Sequence, residues 1–80
     1  MKIPRGISGT DVIKALKRFG YSQTRQVGSH IRITTLRNGE HHITVPNHDP
    51  IKIGTISSII RDVAEHFNMT KDEVAAMLWS

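Results

Sequence analysis

The 80 residues contain no cysteine. That absence excludes disulfide stapling, thiolate zinc sites and thiol catalysis together, and it fits a reducing compartment. Aromatics are scarce, with one Trp, one Tyr and two Phe, so the core has to be built from Ile, Val and Leu. No long apolar run occurs, so nothing in the pattern spans a membrane. The stretch Met1-Lys2-Ile3-Pro4-Arg5 lacks the apolar segment of a secretory signal. The expectation is a cytoplasmic chain with no membrane partner.

Acidic charge is short in the first half. Residues 1–40 carry eight Lys and Arg against two acidic side chains, while residues 41–80 carry three against five. The net +4 is therefore a +6 half joined to a −2 half. Such asymmetry points to a polyanion partner, nucleic acid before others. Eighty residues suffice for one small core and for neither two domains nor a deep substrate cavity. A single domain over 1–80 is expected.

Ser8-Gly9-Thr10-Asp11 has the form of a capping box, and Val12, Ile13, Leu16 and Phe19 follow at helical spacing to a stop at Gly20. Lys14, Lys17 and Arg18 fall off the apolar stripe and form a solvated basic face. Tyr21 to Val45 reads as three strands. Gly28-Ser29 suits a two-residue type II′ turn, which pairs Val27 with His30, Arg25 with Arg32, and Thr24 with Ile33.

The next turn contains Asn38-Gly39. A two-residue loop there would mix apolar and polar residues on both faces. A three-residue loop over Arg37-Asn38-Gly39, with Gly39 left-handed, sets Ile33 opposite Ile43 and Ile31 opposite Val45. One face is then apolar. The other carries Gln23, Arg25, Val27, His30, Arg32, Thr34, His42 and Thr44, and an antiparallel sheet can leave such a face wet.

Pro46 ends the third strand, and Asn47-His48-Asp49-Pro50 connects onward. Thr55 is a candidate cap for a second helix bearing Ile56, Ile59, Ile60, Val63 and Phe67. Thr70-Lys71-Asp72-Glu73 is a second capping box, opening a short helix through Val74, Met77 and Leu78. Two helices on one face of a three-stranded meander give an α+β two-layer domain, with a short extra C-terminal helix.

His30 is the residue with the best chemical case. Imidazole exchanges a proton near neutral pH, and RNA brings its own nucleophile in the 2′-hydroxyl. Arg25 and Arg32 can neutralise a phosphate, and Gly28 and Ser29 let one approach the turn backbone. Lys14 and Lys17 on the first helix and Lys52 before the second are further candidate phosphate contacts, the alternative being an ordinary solvated helix face and a loop lysine before a plain cap. The plain alternative is an exposed turn-flanking histidine between two ordinary arginines. His41 and His42 are adjacent on a strand and point to opposite faces. His66 suits the C-terminal end of the second helix dipole. His48 can help contact RNA or serve as a turn residue. No metal site and no cofactor is expected.

The stretches "SGTDVIKALKRFGY", "RQVGSHIR" and "HHITVPNHDPIKIGTISSIIRDV" together resemble the HicA (YcfA-like) toxin family of bacterial toxin–antitoxin systems, from about Lys2 to Phe67. The specific part is Arg25-Gln26-x-Gly28-Ser29-His30 with Thr44-Val45-Pro46-x-His48 and Gly54-Thr55. The resemblance implies a double-stranded-RNA-binding-like α-β-β-β-α fold and a ribosome-independent mRNA interferase. It also implies a catalytic histidine at His30, preceded by Gly28. It implies a HicB-type antitoxin that covers this face, and operator DNA bound through the toxin–antitoxin complex. A non-catalytic RNA-binding module of the same fold is the alternative. The segment Thr70–Trp79 departs from short family members, and Trp79 is either a core or an interface residue.

Overall fold

The computed structural model describes residues 3–79; Met1, Lys2 and Ser80, which the expected 1–80 domain and its core from Lys2 include, lie outside the described residues. Helix α1 runs over Gly9–Leu16 and tightens into a 3₁₀ turn, Lys17–Phe19, ended by left-handed Gly20. Strands β1 (Ser22–Val27), β2 (His30–Thr35) and β3 (His41–Pro46) form one antiparallel sheet in the order β1-β2-β3. Helices α2 (Ile53–Phe67) and α3 (Lys71–Leu78) follow. The α+β order α-β-β-β-α is the one expected. Among the described residues no helix is long and apolar enough to cross a membrane.

Both capping boxes form. Ser8 Oγ accepts from Asp11 N at 3.1 Å and Ser8 N donates to Asp11 at 3.0 Å. That donated backbone N–H, followed by the Ser8 hydroxyl contact, holds the Asp11 carboxyl below its usual range. Thr70 and Glu73 repeat the arrangement at the start of α3. Helix α2 starts two residues before the expected cap. Thr55 lies inside its first turn, and Lys52 caps it by backbone alone, extended at φ −67°, ψ 140°. The buried anchor Ile51, whose N–H donates to Ile7 O at 2.8 Å, frees the chain to turn helical immediately after it.

The β2–β3 register is the expected one, Ile33 opposite Ile43 and Ile31 opposite Val45. Asn38 is left-handed as well as Gly39, at φ 58° and 97°. Its amide is held by His66 O at 2.8 Å. The β1–β2 register agrees as far as Arg25–Arg32 and then slips. Ile33 faces Gln23 instead of Thr24, because a bulge falls between Gln23 and Arg25. Gln23 therefore leaves the polar face, while Thr24, expected on the apolar side, joins it, bonded to Thr34 Oγ1 at 2.9 Å.

The slip is possible because β1 has nothing to bury. Val12, Leu16, Ile31, Ile33, Ile43, Val45, Ile56, Ile60 and Val63 form one core between the sheet and α1 and α2, and β1 contributes no residue to it. All six β1 residues are exposed. Helix α3 is part of that core, with Val74 and Leu78 in the buried cluster and Trp79 packed partly against it.

Gly9 is the tightest joint. Its N–H donates to His48 O at 2.9 Å, and a Cβ there would run into the Pro46 carbonyl oxygen and lie 3.2 Å from Asn47 Cα. Both obstacles are backbone, so α1 would have to lift from the loop after β3. Gly9→Ala is therefore expected to destabilise the domain by about 1–3 kcal/mol, outweighing any helix-propensity gain, which is at most about 1 kcal/mol. Urea denaturation measures this, and an unchanged midpoint would refute the close packing.

Candidate functional site

The sheet's outer face is built by alternation. Pairing sets Val27 opposite His30 and Arg25 opposite Arg32. Across β2, His30 faces Pro46, Arg32 faces Thr44, and Thr34 faces His42. The expected cluster of His30 with Arg25 and Arg32 thus exists as two adjacent cross-strand pairs. The turn behind it has Gly28 at φ 58°, while Ser29 is not left-handed, which fits the type II′ expectation. No Cβ-blocking atom lies within 4 Å of Gly28, so the turn backbone is open to a ligand.

The other expected contacts do not converge on the same face. On α1, Val12, Ile13 and Leu16 face the core, which puts exposed Lys14 on the far side of the helix from the sheet. Exposed Lys17 lies on the helix flank and Lys52 at the start of α2. Lys14, Lys17 and Lys52 thus stand on other elements, while Arg25 and Arg32 form the cross-strand pair next to His30 on the sheet's outer face.

A groove of about 390 Å³ runs between β3 and α2, lined in part by His42, Thr44, Gly54, Thr55, Ser58 and Asp62. Its two titratable groups are occupied. His42 donates from Nε2 to Glu40 at 2.8 Å and accepts at Nδ1 from Thr34 at 2.8 Å, closing a chain that starts at Thr24. Asp62 takes His41 Nε2 at 3.3 Å.

A second polar group was not legible in sequence. Tyr21, 1% exposed, has its hydroxyl 2.7 Å from His41 Nδ1. Burial, and then the Asp62 carboxylate, pushes the Tyr21 phenol above its usual range. The protonated phenol is a donor toward His41 Nδ1, and His41 Nε2 faces Asp62. The ring of His66 stacks on His41 with centroids 4.3 Å apart. His66 Nε2 donates to the carbonyls of Arg37 and Gly39, at 2.9 and 3.1 Å. Its ring thus turns sideways to fasten the β2–β3 loop, a role beyond the helix-end charge expected of it. This constellation ties the residue before β1 to β3, α2 and the β2–β3 loop, and His41 does oppose His42 in face. Among the described residues no three His, Asp or Glu side chains come together as a metal site.

Compared with known proteins, residues 9–64 match the family described as HicA toxin of bacterial toxin-antitoxin. Neither the curated proteins nor the solved structures return a match.

Proposed function

The chain belongs to the HicA toxin family of bacterial toxin–antitoxin systems, and from that premise we propose that it is an mRNA interferase, an endoribonuclease whose catalytic residue is His30. Membership makes it a toxin with an antitoxin counterpart. One observation carries the finer reading: an exposed imidazole on a rigid strand, beside the cross-strand pair Arg25–Arg32 and a turn whose backbone is open. The arginines supply positive charge for a phosphate, which they bind in planar, multidentate fashion. His30 supplies a proton acceptor or donor for the 2′-hydroxyl reaction. Such a site needs no cofactor.

The outer face of the sheet is then the surface a HicB-type antitoxin has to cover, and operator DNA is reached through the complex of the two. Exposed Lys14, Lys17 and Lys52 steer RNA toward the domain by charge, while Gly28 and Ser29 bring a phosphate against the turn.

Cleavage of a long unstructured RNA by the free protein is the direct test. Intact RNA with salt-sensitive binding would leave a non-catalytic RNA-binding module. Binding itself has a separate signature. Replacing Arg25 and Arg32 with Gln is expected to weaken RNA affinity and to lower the log–log salt slope by about 0.7–1 per lost phosphate contact. A slope equal to that of the wild type in filter-binding titrations would remove the two arginines from the RNA face.

A further inference from the structure

The five histidines divide by what their rings touch. His41, His42 and His66 are all hydrogen-bonded, and all three stand where β2 turns into β3. His30 and His48 stand at the opposite end of the sheet. Both are exposed, and neither ring bonds any group among the described residues. At one end the imidazoles are fastened; at the other they are left free.

The free pair is not loosely held. Asn47 N donates to Ser29 O at 2.6 Å, which clasps the loop after β3 to the turn before β2. His30 follows Ser29 in the chain and His48 follows Asn47, so the two histidines flank one backbone hydrogen bond. His48 N donates to Pro46 O at 2.9 Å and His48 O accepts from Gly9 N at 2.9 Å. Gly9 has no Cβ to hold that contact apart. An unbonded side chain thus stands on backbone fixed through both of its polar atoms. Immobile backbone under a free reactive ring is the arrangement that lowers the entropy of reaching a transition state.

We propose that His48 is the second proton-transfer group of the ribonuclease site, working with His30 across one bound phosphate. This rests on the ribonuclease reading of the same face. Cleavage through the 2′-hydroxyl moves two protons. One neutral imidazole takes the proton of the 2′-hydroxyl as O2′ bonds to phosphorus. The other, as imidazolium, gives its proton to O5′ as the P–O5′ bond breaks. The products are a 2′,3′-cyclic phosphate and a 5′-hydroxyl, and no water is consumed. Arg25 and Arg32 cannot lend a proton, because guanidinium stays charged. Among the side-chain types on the turn and the loop, imidazole is the one suited to both giving and taking a proton near neutral pH.

The experiment compares wild type, His30→Ala, His48→Ala and His48→Gln on RNA, and on a dinucleotide whose bridging 5′ oxygen is replaced by sulfur. A thiolate leaves without being protonated. Wild type is expected to show a bell-shaped pH profile for kcat. Each Ala variant should lose about 10²–10⁴-fold in kcat with KM nearly unchanged, and one limb of the bell, a different limb for each. On the sulfur substrate the variant lacking the acid regains most of its rate, and the other does not. His48→Gln keeps a polar side chain there and should behave as His48→Ala. Wild-type cleavage with an unaltered profile in both His48 variants would overturn the His48 assignment and leave His30 standing. An intact RNA with wild type would remove both.

Discussion

His30→Ala is expected to yield a folded protein that binds RNA and no longer cuts it. The loss should be about 10²–10⁴-fold in kcat, the range for removing a positioned acid or base. Three features make the effect one of chemistry and not of folding. The ring is exposed and bonds nothing among the described residues. The strand beneath it is anchored by buried Ile31 and Ile33. The charge proposed to bind phosphate sits on other residues, Arg25 and Arg32, which the substitution leaves in place. In cells, expression of the wild-type chain alone should arrest growth, and His30→Ala should relieve the arrest. Equal cleavage by the two purified proteins would sink the His30 assignment and point to another residue or a contaminating nuclease.

The second large effect concerns stability. A chain ending at residue 69 is expected to lose its cooperative unfolding transition. Helix α3 lies beyond the family match, which ends at residue 64, yet it closes the core. Val74 is 0% exposed, Ala75 4% and Leu78 5%. Arg18 reaches across to donate to Met77 O, and Arg37 donates to Arg18 O at 2.7 Å, bracing the end of α1. Burying a Val or Leu side chain contributes about 1.5–3 kcal/mol. Removing both forfeits about 3–6 kcal/mol and exposes the core surfaces they cover, a loss comparable with the lower part of the roughly 5–15 kcal/mol by which a domain is stable. Leu78→Ala alone should destabilise by about 2–5 kcal/mol. Thermal and urea melts measure both. A truncated chain melting cooperatively near the full-length midpoint would show that α3 is an appendage.

What could be read from the sequence follows what burial dictates. The Ile33–Ile43 register was legible because any other choice mixes the faces of β2 and β3. The slip after Arg25 was not, since Ser-Gln-Thr-Arg-Gln-Val carries no apolar alternation and nothing buried penalises a shift. The caps at Ser8 and Thr70 announce themselves through paired side chains. Lys52 caps α2 with backbone alone and leaves no such mark, so the sequence points to Thr55 in its place. His30, Arg25 and Arg32 could be put on one face by parity along strands. The Tyr21–His41–Asp62 chain and the Ser29–Asn47 clasp join residues far apart in sequence, and no local spacing encodes them. Trp79, whose sequence context fits core and interface alike, packs partly against the core.

Strand β1 buries none of its six side chains and still supplies half of the arginine pair beside His30. Substitutions at surface positions of this kind usually change stability by no more than about 0.5 kcal/mol. The fold therefore places almost no constraint on what β1 displays. A toxin and its antitoxin have to remain matched while their sequences drift, and, Arg25 apart, the fold leaves that drift free on β1. New pairings can be tried there one residue at a time, with the core and the fixed backbone under His30 and His48 left as they are.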